Sequence, residues 1–182
     1  MKLNVGSAWD KIDGFTNIDG LDWDGNTDVI HDLNITPYPF YDNNADEIRC
    51  VETLEHISWR NTAKVLGEFY RILRPDGKLF IQVPDCGKAM EYYFRKEICT
   101  CVPHKADKGG FVADDDCLKC MGRGKINPVR WMMSFNGAQK HKFDAHLNIF
   151  TKDIMTRELV QAGFKNIEFG EDINKLKVNC IK

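Results

Sequence analysis

Residues Asn61 to Asp85, NTAKVLGEFYRILRPDGKLFIQVPD, decide the fold. Ala63, Val65, Leu66, Phe69, Ile72 and Leu73 recur at helical spacing and predict an amphipathic helix from Asn61 to Leu73. Pro75 cannot continue that helix. Asp76-Gly77 predicts a turn into Lys78-Leu79-Phe80-Ile81-Gln82-Val83, the strongest strand signal in the chain. A helix that feeds a short apolar strand is the repeating step of a mostly parallel sheet.

Upstream, the same signal recurs as short apolar runs. Leu3-Asn4-Val5 predicts a first strand ending at Gly6, Phe15 to Asp19 a second closed by Asp19-Gly20, Asp28 to His31 a third, and Glu47 to Val51 a fourth. Thr36-Pro37-Tyr38-Pro39 predicts extended loop, because each proline biases its predecessor away from helix. Downstream of Asp85 the regularity fades, and residues 96–130 read as an inserted loop module. Thr151 then predicts a helix cap, Gly163 a helix stop, and two strands near 165–169 and 176–181 finish the chain.

The composition suits this reading. The chain has 182 residues, 43% hydrophobic and 29% charged, which fits a single globular domain over residues 1–182. No apolar run is long enough to span a bilayer, and the start lacks the apolar core of a signal peptide, so the expectation is a cytoplasmic protein with no membrane partner. The net charge of −2 conceals an asymmetry. Residues 1–87 hold 8 Lys/Arg against 15 Asp/Glu, whereas residues 88–142 hold 11 against 6. That contrast suggests two surfaces with different partners, or an ordinary solvated surface. The odd count of seven cysteines argues against a complete disulfide framework and for thiols or metal ligands.

In order along the chain stand Leu3-Asn4-Val5-Gly6-Ser7, Gly14-Phe15-Thr16-Asn17-Ile18-Asp19, His31-Asp32-Leu33, Pro39-Phe40-Tyr41-Asp42-Asn43 and Thr53-Leu54-Glu55-His56-Ile57. Glu68 to Gly77, Val83-Pro84-Asp85 and Ala162-Gly163-Phe164 follow. Together they resemble the class I S-adenosylmethionine-dependent methyltransferases, in particular small type 11-like members. The resemblance implies a doubly wound, Rossmann-like, seven-stranded, mostly parallel sheet whose last strand is antiparallel, here with a cysteine-containing insert. It also implies methyl transfer from S-adenosylmethionine, bound outside the carboxyl ends of the strands.

Gly6 would let the backbone approach the cofactor, or is an ordinary turn glycine. Asp19 is placed to accept from both ribose hydroxyls, or opens an Asp-Gly turn, with Asp22 and Asp24 as competitors. Asp32 would sit near the adenine amino group, or cap a turn. Glu52, past the fourth strand, would face the methionine end. Glu55 and His56 fall on a following short helix, where a packed histidine is the plainer reading of His56. If the acceptor must lose a proton, Glu52, His56 and His146 are the candidate bases. The acceptor is expected to be small or flexible.

Two departures from the family pattern bear on this. Ser7-Ala8 stands where a second glycine is usual, and the connection from Ser7 to Gly14 leaves little room for a helix. A non-catalytic, cofactor-binding or regulatory member is therefore the alternative. A nucleic-acid-associated protein that uses basic residues such as Lys119, Arg123, Lys125 and Arg130 is another. Finally, Cys99-x-Cys101 and Cys117-x-x-Cys120 offer four thiolates in two close pairs, with His104 in reserve, as a structural zinc site does. The second pair runs on into Gly122 and Gly124, resembling half of the cysteine-rich zinc module of J-domain chaperones. Four unrelated reduced thiols are the other reading.

Overall fold

The computed structural model describes residues 1–95, 103–105, 111–113, 135–137, 144–172 and 174–182. Five strands, β1 (Lys2–Val5), β2 (Thr16–Asp19), β3 (Val29–Ile30), β4 (Ala45–Val51) and β5 (Leu73–Pro84), pair in parallel in the order β3-β2-β1-β4-β5. The sheet is completed by β9 (Lys175–Ile181), antiparallel to both β5 and the edge strand β8 (Lys165–Gly170). The strand order reverses between β1 and β4, which puts a crevice at their carboxyl ends. The expected architecture, with its antiparallel last strand, is present.

One face of the sheet is apolar because alternate residues point the same way. Leu3 and Val5, Ile18, Ile48 and Cys50, Leu79, Ile81 and Val83, and Val178 are all buried in one cluster. Helix α1 (Thr62–Ile72) adds Val65, Leu66, Phe69 and Ile72 to it, and helix α3 (Lys152–Ala162) adds Met155 and Leu159. The Thr151 hydroxyl accepts from Ile154 N–H (3.3 Å), and Gly163 closes α3 at φ +101°, as the sequence predicted.

The opposite register positions of β1, β2 and β4 are polar, and they hold the short β1–β2 connection. Asn4 Nδ2 donates to Asn17 Oδ1 (3.0 Å) and to Asp10 O (2.8 Å). Asn17 Oδ1 also accepts from Ile12 N–H (3.0 Å), and its Nδ2 donates to Asp28 Oδ2 (2.9 Å). Both asparagines are buried. A polar staple thus replaces the helix that this connection is too short to form, so the departure seen in the sequence has a local structural answer.

Three local readings need correction. Helix α1 stops at Ile72, and β5 begins at once at Leu73, well before Pro75. Asp76-Gly77 is not a turn ahead of the strand. It lies in a bulge within it, since Ala45 pairs with Leu73 but Glu47 pairs with Lys78. Asp76 takes φ +61° there, and a Cβ on Gly77 would lie 2.8 Å from Arg74 O. Past Asp85 the chain does not lose regularity but forms helix α2 (Cys86–Arg95), capped by Asp85 Oδ1 accepting from Lys88 N–H (2.9 Å). Within the expected insert, β6 (Pro103–Lys105) and β7 (Phe111–Ala113) pair as an antiparallel ribbon, so part of it is regular structure.

Candidate functional site

The parallel register brings Gly6, Asp19, His31 and Glu52 to one edge of the sheet, each at or just past the end of its strand. Gly6 has φ +70°, and its N–H donates to Ile18 O (2.8 Å). A Cβ there would lie 2.0 Å from Thr53 Oγ1, so Thr53 fills the space that a side chain would need. The glycine is thus required by its conformation and by packing against the turn after β4. Next to it, Ser7 is buried and its Oγ has no partner among the described residues.

Asp19 is the organiser of the β1–β2 rim. Its Oδ2 accepts from Ala8 N–H (3.0 Å), and its Oδ1 accepts from Leu21 N–H (3.2 Å) and Trp23 Nε1–H (3.0 Å). Trp23 in turn stands edge-on to the exposed Trp9, with ring centroids 4.1 Å apart. The competitors are placed differently. Asp22 Oδ1 accepts from Gly25 N–H (3.0 Å) within its own turn, and Asp24 lies exposed in that turn at φ +52°. Asp32 is exposed, and its Oδ1 accepts from Asn34 N–H (2.9 Å).

The β4 end is the more highly charged. Glu52 sits at φ +50°, pairs with the Lys175 ammonium, and accepts from Gln82 Nε2 (3.2 Å). Thr53 Oγ1 donates to Val51 O (2.8 Å) and starts a single 3₁₀ turn, Leu54–His56. That turn drives Glu55 inward: the residue is 2% exposed, and neither carboxylate oxygen has a hydrogen-bond partner among the described residues. Burial, with the Glu52 charge adding to it, pushes its carboxyl up to about 8.

Beside it, His56 Nδ1 lies 3.1 Å from Ala145 O, and the His56 and His146 rings stand 5.0 Å apart. Burial holds the His56 imidazole below its ordinary pKa, so the ring is neutral at neutral pH. The two segments are tied together because Leu147 and Asn148 N–H both donate to Glu55 O (2.8 and 3.1 Å).

The chain that builds this rim at the switch point of the β3-β2-β1-β4-β5-β9-β8 sheet is matched by the family model described as "Methyltransferase domain", over residues 11–168. The chain belongs to the methyltransferase domain family. It is a methyltransferase. No curated protein matches it. Among solved structures, a SAM-dependent methyltransferase from Methanosarcina mazei is 16% identical, with a TM-score of 0.58 over 100% of this chain and 91% of that one. One from Aquifex aeolicus is also 16% identical, with a TM-score of 0.55 over 99% and 80%. The Burkholderia thailandensis 1,6-didemethyltoxoflavin-N1-methyltransferase, solved with 1,6-didemethyltoxoflavin and S-adenosylhomocysteine, is 13% identical, with a TM-score of 0.52 over 100% and 70%. At these identities the likeness is one of fold.

Of the residues singled out from the methyltransferase sequence, Gly6, Asp19, Asp32 and Glu52 lie along the strand ends, and His56 and His146 meet although ninety positions separate them. Glu55 was read only as part of a motif, and the structure makes it the most unusual carboxylate among the described residues. Cys99, Cys101, Cys117 and Cys120 lie outside the described residues, as do Lys119, Arg123, Lys125 and Arg130. His104 is placed only as backbone of β6. No helix among the described residues is long and apolar enough to cross a membrane.

Proposed function

We propose that this methyltransferase holds S-adenosylmethionine over the ends of β1, β2 and β3, with Gly6, Asp19 and Asp32 along the nucleoside and Glu52 at the methionine end. The observation that carries this reading is the convergence on Asp19. Three donors fix its carboxylate at the end of β2, where a ribose would lie across the crevice. The residues fit the cofactor in a second respect, because the buried Ser7 hydroxyl beside Gly6 lacks a partner among the described residues. When bound, the cofactor supplies a methyl group already activated by its sulfonium, so the protein's main task is to hold the acceptor in line.

The acceptor proposed is a small or flexible molecule admitted beside residues 86–146, near the ends of β4 and β5. The Burkholderia thailandensis enzyme of like fold, solved with 1,6-didemethyltoxoflavin, supports this reading. Where the acceptor must lose a proton, Glu52, His56 and His146 are the candidate bases; His56, neutral and held at one nitrogen by Ala145 O, serves only while its other nitrogen carries no ion. Glu52 is less suited because Lys175 already compensates its charge. Calorimetric titration with S-adenosylmethionine and S-adenosylhomocysteine tests the site. Incubation with methyl-labelled cofactor and fractionated metabolite and nucleic-acid extracts tests the acceptor. Label recovered only in nucleic acid would replace the small-molecule reading.

We propose further that Cys99, Cys101, Cys117 and Cys120 hold a structural zinc ion. The register Pro103↔Ala113 supports this, because it pairs the residue two positions after Cys101 with the residue four positions before Cys117. Elemental analysis of protein purified without chelator is expected to give at least one zinc per chain, and substoichiometric metal would refute the site.

A further inference from the structure

We propose that Glu55, His56 and His146 form a second metal site, distinct from the cysteine cluster, that binds one divalent first-row transition ion such as zinc, cobalt or manganese. One donor atom from each of the three residues lies within 4.8 Å of the other two. Around a tetrahedral ion with bonds near 2.1 Å, ligand atoms stand about 3.4 Å apart, so small side-chain rotations close the set on one ion.

The buried carboxylate is the observation that points to a ligand. Glu55 is nearly inaccessible, yet both of its oxygens lack hydrogen-bond partners among the described residues. A carboxylate in that position is costly unless something compensates it. The described surroundings compensate it only in part: burial and the Glu52 charge push its carboxyl up, while its own backbone N–H and the Lys175 ammonium, which is already paired with Glu52, pull the other way more weakly. A proton would neutralise the group but would leave its hydroxyl and carbonyl without partners. A dication satisfies both oxygens' charge and draws in the two imidazoles beside them.

The supporting geometry is also that of a ligand set. Donation from His56 Nδ1–H to Ala145 O fixes the tautomer and leaves the Nε2 lone pair for an ion. The backbone bonds from Leu147 and Asn148 to Glu55 O clamp the segment carrying His146 against the turn carrying the other two ligands. Two imidazoles and one carboxylate select transition ions over magnesium or calcium, which prefer oxygen alone. Three protein ligands leave at least one coordination position for water or an oxygen atom of the acceptor.

The test uses the full chain, stripped with chelator and titrated with cobalt(II) alone, read by its visible d–d absorption. Beyond any cobalt taken up by the cysteine cluster with its thiolate charge-transfer band, one further equivalent should bind with d–d absorption alone, and zinc should displace it. His146→Ala and Glu55→Gln should each weaken this binding at least tenfold. Thermal melts of the metal-free variants guard against misfolding: Glu55→Gln removes a buried charge and should melt no lower than wild type. Its loss of cobalt binding then reports a lost ligand. Cobalt binding that shows only thiolate bands, or that His146→Ala leaves unchanged, overturns the site. Cofactor calorimetry on the same stripped protein reports separately on the methyltransferase reading, which neither result decides.

Discussion

Replacing Asp28 with asparagine should remove a pH-dependent clamp between β2 and the start of β3. Asp28 Oδ2 accepts from both the backbone N–H and the Nδ2 of Asn17, each at 2.9 Å, and Oδ1 accepts from Lys11 Nζ at 3.1 Å. These bonds, the Asn17 backbone bond first, pull its carboxyl from 3.8 down to about 2. Because the folded pKa lies below the unfolded one, the contribution is fully present above about pH 5 and is lost as the pH falls toward 2. The gap between 3.8 and about 2 converts to about 2.4 kcal/mol without solvent screening. The side chain is 38% exposed, so roughly 1 kcal/mol is the realistic figure. Urea unfolding of wild type and Asp28→Asn at constant ionic strength, from pH 7 to 2.5, measures it. Other depressed carboxylates such as Asp172 act alike in both proteins and cancel in the difference. The stability difference should be about 1 kcal/mol at pH 7 and shrink to a few tenths near pH 2.5. A difference that stays constant across that range would refute the electrostatic account and reduce Asp28 to a shape-filling residue.

Asp19→Ala should weaken S-adenosylmethionine by roughly 1–3 kcal/mol in calorimetry, the cost of removing hydrogen bonds to a charged group, and unchanged affinity would remove the residue from the site. Gly6→Ala should cost about 3 kcal/mol of stability in denaturant titration, since it combines a left-handed residue with overpacking against Thr53. A loss under about 1 kcal/mol would mean that the turn after β4 yields easily.

The sheet was legible because its strands and the helices α1 and α3 carry strong local signals. The α1 stripe and the Thr151 and Gly163 ends of α3 are properties of a few consecutive residues. What escaped was set by partners distant in sequence. Helix α2 begins on an aspartate that also closes the Val83-Pro84-Asp85 motif, and its first residues pack by tertiary contact, Cys86 N–H donating to Phe150 O (3.0 Å). The Asp76-Gly77 pair has ordinary turn composition. It becomes a bulge because β4 supplies a partner on both sides of it.

The site shows the same division. Asp19 could be chosen from Asp22 and Asp24 by its position at a strand end, and its oxygens accept from donors there, the role they would also play toward a hydroxyl of a ligand. Glu52 was placed past the end of β4 on the same ground, whereas the burial of Glu55 was not legible from position. They stand three positions apart, but the intervening Thr53 turn leaves Glu52 beside Lys175 and carries Glu55 into the interior. Spacing alone does not report which of two carboxylates loses its water. His146 could be nominated only as one histidine among five. Its meeting with His56 depends on Ala145, Leu147 and Asn148 bonding to the turn after β4. Residue type therefore identified the imidazoles, and the backbone bonds between 54–56 and 145–148 bring them together. If that clamp exists to present ligands, weakening it through Asn148→Ala, which breaks the bond to Thr62 Oγ1 (2.7 Å), should lower cobalt affinity without removing any ligand.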